Sequence, residues 1–354
     1  MDYREEIYLK LNQQADTIIG GLPQFARKYF THIKNLGMSP RTRLQYAYDM
    51  SRFFEYLATS EKFSGKEISK LSASEILDEL NIDDIQEYIS SLEYYTATDP
   101  SGKEVTRISS PSIRARRISC LRSFYKYYFK IGDIKNNLSD LMDVPKIPEK
   151  QIVVMNKDQV QRILAAVKDV EGLSEQELKR HAKIVPRDFA IMMLFFGTGI
   201  RVSELVGIDI TDIDFYQASI LVTRKGGDQD EVYFGPEVEE ALQDYNEGYR
   251  DILLGGRIDE KAFFISMQHK RMSVRSVELM IKNYAKKAGL NTKVTPHALR
   301  RTFGTNLYEE TGDIYLVADA LHHSSVETTK KHYAKMSKDH KRIAASKSST
   351  LFTD

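Results

Sequence analysis

The chain has 354 residues and a mass of 40.7 kDa, more than one domain of ordinary size requires, so two domains are expected. Apolar residues make up 42% and charged residues 29%, with 19 Gly and 9 Pro, which excludes disordered, collagen-like and low-complexity chains. With 51 basic and 50 acidic side chains the formal charge is +1, so any attraction to a polyanion must come from local segregation of charge.

A single cysteine, Cys120, excludes an internal disulfide, and the sequence carries neither a secretory leader nor an apolar run of about 18 residues. These features predict a cytoplasmic protein without membrane insertion. Charge is segregated along the first part of the chain. From Lys103 to Lys135 there are nine Lys or Arg against Glu104 and Asp133 alone, whereas the stretch from Glu55 to Asp99 is acidic.

In chain order, Tyr3 to Asn12 reads as a short peripheral amphipathic helix, broken at Gly20, Gly21 and Pro23, so residues 1–23 form an N-terminal extension. Ser39 caps the next helix with Pro40 in its first turn, and Leu44, Ala47, Met50, Phe53, Phe54 and Leu57 form its apolar stripe. Arg41 and Arg43 lie on this helix as candidate phosphate contacts. Leu71 to Leu80 and Ile82 to Leu92 read as two shorter helices. Ser110 and Pro111 open a strongly basic helix whose Ile118, Leu121, Tyr125 and Tyr128 point inward. Arg114, Arg117, Arg122 and Lys126 on this helix are candidate contacts to a DNA backbone, whose recognition is electrostatic and largely independent of sequence.

Val144 to Val153 holds two prolines and no helical period, and it is the expected interdomain linker. The domain plan is therefore a small helical domain over 24–143, a linker over 144–153, a larger second domain over 154–336 and a tail over 337–354. In the second domain Asn156 caps a helix through Val167, and Lys168 to Lys183 reads as a loop with a short helical piece. Pro186 starts an apolar helix that buries Phe189, Met193 and Phe196 and ends at Gly197 or Gly199. Ser219 to Thr223 and Glu231 to Phe234, separated by Lys225, Gly226 and Gly227, suggest a small hairpin. Helices follow over Glu237 to Arg250, Ser273 to Ala288, Pro296 to Glu310 and Ile314 to Leu321. The fold class is thus mainly α, with a small antiparallel sheet in the second domain. No phosphate-loop or dinucleotide fingerprint is present.

Taken singly, Arg201, His297, Arg300, His323 and Tyr333 have ordinary structural explanations. Their arrangement is more informative. GTGIRVSEL puts Arg201 at a helix entrance, PHALRRTFGT puts His297 and Arg300 three residues apart on one helical face, and HHSSVETTKKHY holds His323 and Tyr333. Two guanidiniums can grip a phosphodiester, imidazoles can donate hydrogen bonds or move a proton, and a phenol can attack phosphorus. His322, His323 and His332 are close in sequence, but their spacing is not a compact zinc signature and no cysteine pair accompanies them. Neither a metal nor a cofactor is expected.

From about Phe25 to Tyr333, the ordered set TGIRVSEL, TRKGG, HALRRTFGT and HHSSVETTKKHY resembles the tyrosine recombinase family, which includes the Xer chromosome-resolving recombinases and the integrases of mobile elements. The resemblance implies a helical core-binding domain of the SAM-like type followed by a catalytic domain of the DNA breaking-rejoining fold. It implies Arg201 as first catalytic arginine, Glu204 as its acidic partner and Lys225 as catalytic lysine and general acid. His297 and Arg300 match the HxxR pair, His323 the histidine of the usual LGHS motif, and Tyr333 the nucleophile. In this chain His322 replaces the glycine of LGHS, and Tyr333 follows His323 by ten residues where many Xer-like members use nine.

The implied chemistry is cleavage of duplex DNA through a 3′-phosphotyrosyl intermediate, strand exchange through a Holliday junction and rejoining without ATP. The implied assembly is a homo-tetramer on synapsed DNA, with the tail docking on a neighbouring protomer. A partner recombinase or a DNA-translocating motor is compatible with the same family. Xer-like chromosome-dimer resolution is the expected role, with the integrase or transposase of a mobile element as the alternative. A type IB-like topoisomerase and a non-catalytic DNA-binding accessory protein fit the motifs less well.

Overall fold

The computed structural model describes residues 3–98, 102–148, 153–224, 227–257, 260–290, 293–322 and 326–327. The chain divides into two compact units, 1–150 and 151–354.

The first unit runs α1 (Tyr3–Gly20), α2 (Ala26–Asn35), α3 (Pro40–Thr59), α4 (Ala73–Leu77), α5 (Ile82–Ser91), a hairpin of β1 (Tyr94–Thr98) and β2 (Glu104–Ile108), then α6 (Pro111–Lys130). Local chemistry sets the two long helices. Ser39 accepts a hydrogen bond from the Thr42 N–H at 3.3 Å and Ser110 accepts from Ile113 N–H at 3.4 Å, and in each case proline takes the first helical position, where its missing N–H costs nothing. The apolar stripes then meet. Phe53, Phe54 and Leu57 of α3 and Ile118, Leu121, Phe124, Tyr125 and Tyr128 of α6 are buried in one core. Buried Tyr hydroxyls find partners: Tyr29 donates to Ser123 Oγ at 2.9 Å, and Tyr128 donates to the Phe25 carbonyl at 2.5 Å.

Three features of this unit differ from the sequence expectation. The segment from Tyr3 to Leu22 is not peripheral, because α1 packs along α3 and contributes Ala15 and Ile19 to the core, joined by Leu22 just beyond its end. Between Leu71 and Leu80 only α4 is helical, begun by a reciprocal cap between Ser72 and Glu75. The β1–β2 ribbon, in register from Tyr94 opposite Ile108 to Thr98 opposite Glu104, was not foreseen, since its segments lack an alternating apolar face.

The second unit runs α7 (Lys157–Lys168), α8 (Glu175–Thr198), α9 (Val202–Leu205), β3 (Ile213–Asp214), β4 (Ser219–Thr223), β5 (Gln229–Tyr233), α10 (Pro236–Gly248), α11 (Arg250–Leu254), α12 (Val274–Lys287), α13 (Pro296–Thr311) and α14 (Ile314–Ala320). The strands form one antiparallel sheet in the order β3-β4-β5, with Ile220 opposite Val232 and Thr223 opposite Gln229. Ile220, Val222 and Val232 bury one face, as the two-residue period requires.

α8 is the spine, packed against α7, α10 and α13. It begins eleven residues before Pro186, at a capping box between Ser174 and Glu177, so the proline lies inside the helix rather than at its start. The proline leaves the Ala182 carbonyl without its helical donor, and Ala182 is exposed, where water can take that place. The buried face of α8 is also rotated from the expected one: Ile191, Met192, Leu194 and Phe195 are fully buried, while Phe189, Met193 and Phe196 are only partly so. Among the described residues no helix is long and apolar enough to cross a membrane.

Candidate active site

α8 ends at Gly199, whose φ of 62° lies in the left-handed region that glycine adopts without strain. The chain turns there and re-enters a helix at Arg201, the residue preceding α9. Glu204 secures this entrance from both sides: its Oε2 accepts the Arg201 backbone N–H at 2.9 Å and its Oε1 accepts the Arg201 guanidinium at 2.8 Å. Glu204 is only 4% exposed and also pairs with the Arg224 guanidinium at 3.0 Å. Burial alone would push its carboxyl up, but the two Arg201 hydrogen bonds and the charge of Arg224 outweigh burial and hold it below the ordinary carboxylate value.

Thr295 caps α13 and places His297 and Arg300 one turn apart. Arg300 is buried at 5% exposure, with Nη1 donating to the Gly199 carbonyl at 2.5 Å and Nη2 donating to the Leu321 carbonyl. Arg201 Nη2 donates to the next carbonyl, that of His322, at 3.3 Å. Two guanidiniums from distant parts of the sequence thus converge on consecutive carbonyls of one turn, which immediately precedes His323 in the chain. His297 is exposed on the same helix as Arg300.

His322 itself stands at φ 46°, a left-handed conformation rare for a residue with a Cβ. Its Nδ1 contacts Asp230 of β5, and Asp230 Oδ2 also accepts from Arg224 Nε at 3.3 Å. Arg224 and Asp230 were not singled out by sequence reasoning. Arg224 had a signal in its place beside Lys225 within TRKGG, whereas nothing local to Asp230 announces its partners.

Of the residues expected at the site, Arg201, Glu204 and Arg300 are brought to one region and His297 shares the α13 face. Lys225, His323 and Tyr333 lie outside the described residues, as does the expected tail over 337–354. Among the described residues no group of three His, Cys, Asp or Glu side chains is placed to hold a metal ion.

The expected phosphate contacts of the first unit separate into two sets. Arg43 is 3% exposed and is spent inside the unit, donating to Asn12 Oδ1 at 2.7 Å and pairing with Asp16 at 3.1 Å. Arg117 is 6% exposed, with Asp49 3.6 Å from its Nε. Both are corrected from surface contacts to internal structural charges. Arg41 is exposed, and Arg114, Arg122 and Lys126 reach the surface near Glu93 or Asp140, so part of their charge is neutralised locally.

The family of the chain follows from comparison with known proteins. The model of the phage integrase family matches residues 153–340. A tyrosine recombinase XerC from Caldanaerobacter subterraneus subsp. tengcongensis is 31% identical over 313 residues, covering 85% of this chain and 79% of that relative, and a XerC from Myxococcus xanthus is 30% identical over 316 residues, covering 88% and 93%. In fold, the chain is similar to the XerH site-specific recombinase solved with palindromic difH substrate as a post-cleavage complex, with a TM-score of 0.64 at 17% identity over 98% of this chain and 96% of that one. A lambda integrase tetramer bound to a Holliday junction gives a TM-score of 0.60 at 17% identity over 87% and 76%. The chain belongs to the phage integrase family as a Xer-type tyrosine recombinase, an enzyme that acts on DNA by cutting and rejoining its strands.

Proposed function

We propose that the enzyme cleaves duplex DNA at a specific site through a 3′-phosphotyrosyl intermediate and exchanges strands through a Holliday junction, in the manner of a chromosome-dimer resolvase. The observation that supports this reading is the convergence of Arg201 and Arg300 on the Leu321–His322 turn. Such a pair offers several donors to the nonbridging oxygens of one phosphate, where negative charge grows as phosphorus becomes five-coordinate.

In this mechanism Tyr333 Oη attacks the phosphorus while His297 assists removal of the phenolic proton. A phenol has a pKa of about 10, so this base and the surrounding positive charge are what make it reactive near neutral pH. The P–O bond to the 5′ oxygen breaks, and Lys225 supplies the proton that this leaving oxygen takes up. His323 adds a further donor to the phosphate. A 5′-hydroxyl from a second cleaved strand then attacks the phosphotyrosine, giving its proton to Lys225 as the P–O bond to Tyr333 breaks and the phenolate takes a proton back from His297, which restores a phosphodiester. One bond is exchanged for another at each step, so no ATP is consumed.

Residues 24–143, within the first unit, form the DNA-binding core and residues 154–336, within the second, the catalytic domain. Two duplexes present four strands to be cut, which calls for a tetramer, the form in which the lambda integrase relative was solved on its junction. The enzyme works in the cytoplasm. Covalent trapping on a nicked suicide duplex tests the reading: the wild type should form a protein–DNA adduct in the presence of chelator, and Tyr333→Phe should form none. An adduct unchanged in Tyr333→Phe would overturn the assignment, and relaxation of supercoiled DNA without junction products on two-site substrates would point to a topoisomerase.

A further inference from the structure

We propose that His322 and Asp230 are positioning residues for the active site, closing a ring of contacts that ties the hairpin before Lys225 to Arg201. The ring can be followed contact by contact. Arg201 holds Glu204 at 2.8 Å, Glu204 holds Arg224 at 3.0 Å, Arg224 holds Asp230 at 3.3 Å, Asp230 pairs with His322, and the His322 carbonyl accepts from Arg201 at 3.3 Å. Arg224 is the residue immediately before Lys225, and Asp230 stands on the opposite strand of the same hairpin. The inference rests on the strand-transfer reading above, in which Lys225 protonates the leaving oxygen.

The backbone supplies the main argument for a role of the side chain. At φ 46° a glycine would sit without strain. A histidine at this position carries a conformational cost, and its compensating contact is the one to Asp230. The turn has to be left-handed because it presents the Leu321 and His322 carbonyls in succession to Arg300 and Arg201. His322 therefore joins two tasks in one residue: its carbonyl seats Arg201, and its imidazole seats the hairpin.

Among the described residues, the charged groups that act on the imidazole are Asp230 of β5, Arg224 just after β4, Glu204 of α9 and Asp319 of α14. Burial first, and then Arg224, hold the imidazole below its ordinary value against the pull of the three carboxylates. In the ring His322 is accordingly neutral near pH 7, with Nδ1–H donating to Asp230. A histidine freed from the ring takes up a proton more readily than one within it, so acidification below the ordinary value of 6.5 weakens the ring.

The decisive variant is His322→Gly, because it removes the imidazole while relieving the backbone. A histidine that was merely tolerated would give a variant as active as the wild type or more so. With a positioning imidazole, covalent adduct formation on the suicide duplex slows by roughly tenfold or more at pH 7, the scale of loss for misplaced reacting groups. Asp230→Asn should slow it similarly, and the double variant should be no slower than the worse single one, because both remove the same link. The acid limb of the wild-type rate profile should be shallower in His322→Gly. Hydrogen exchange of the amides over 219–233 supplies a readout independent of cleavage: it should quicken several-fold in both single variants. If the wild type forms adduct but His322→Gly matches it in rate, pH profile and exchange, the ring has no positioning role. If no protein forms adduct, the strand-transfer reading fails, and the exchange experiment still decides whether the ring holds the hairpin.

Discussion

Glu204 accepts the backbone N–H and the guanidinium of Arg201 at once, at 2.9 and 2.8 Å, so a single carboxylate both starts a helix and aims an arginine. Removing it exposes the consequence. Glu204→Ala leaves the largely buried Arg224 with Asp230 alone as counter-ion and the Arg201 N–H without its cap, and should cost about 1–3 kcal/mol of stability. Glu204→Gln keeps a carbonyl oxygen for the cap and should lose less. Because the folded carboxyl lies below its ordinary value, its contribution is present at neutral pH and fades as pH falls through the lowered value. Urea titrations of wild type and Glu204→Gln at pH 7 and at about pH 3.5 should therefore show a gap that narrows in acid; a gap that widens would mean that the charge on Glu204 is not what stabilises this corner.

The end of α8 supplies a test of packing. A Cβ on Gly199 would stand 2.5 Å from Phe303 Cδ1 and 3.0 Å from Leu321 Cδ2, and the φ of 62° would strain any L side chain. Overpacking of this kind costs about 1–3 kcal/mol and the left-handed backbone about 1–2 kcal/mol more. Gly199→Ala should lower the melting temperature of the second unit by roughly 5–10 °C. It also displaces the carbonyl that receives Arg300, so adduct formation should fall further than the loss of folded protein explains. Equal losses of folded protein and of activity would show that Arg300 keeps its aim without Gly199.

Most of the helices were legible because capping residues and apolar stripes occur together, as at Ser39 with Phe53 and Phe54, or Ser110 with Leu121 and Tyr125. Pro186 misled because a proline can sit inside a helix when the carbonyl it orphans is exposed, and no local pattern reports that exposure. In the site, Arg201 and Arg300 could be picked out by motif, yet the carbonyls that hold them belong to Gly199, Leu321 and His322, which carry no side-chain signature of that task. Asp230 and Arg43 show the same limit from opposite sides. Asp230 gains its role from residues far along the chain, and Arg43, which reads as a surface charge, is consumed by α1.

Asp49 gives the first unit a pH dependence of its own. It is buried beside Arg116 and Arg117, and burial, only partly offset by those guanidiniums, pushes its carboxyl from 3.8 up to about 6. For an acid raised in the folded state, the protein gains by holding the proton. Stability is then fully present below 3.8 and is lost as pH rises to about 6. Thermal melts should show the first unit weakening across that interval, and Asp49→Asn should remove the slope whatever it does to the absolute midpoint. A slope that persists in Asp49→Asn would have to come from another group.

The division among the basic residues of the first unit predicts two distinct phenotypes for charge reversal. Lys126 is 54% exposed at its side chain and Arg41 is exposed, so Lys126→Glu and Arg41→Glu should leave melting nearly unchanged while weakening binding to duplex DNA. Each should also reduce the steepness of the salt dependence by roughly one unit in log K against log salt, the signature of one lost phosphate contact. Arg43→Glu sets a carboxylate against Asp16 inside the α1–α3 contact, and Arg117→Glu does the same against Asp49. Both should lower the melting temperature strongly and impair binding only through loss of folded protein, because neither side chain is available to a phosphate. Salt titrations paired with melts separate the outcomes. A folded Arg117→Glu with a shallower salt slope would return that residue to the DNA surface, and a Lys126→Glu that binds as the wild type at every salt concentration would remove the outer face of α6 from it.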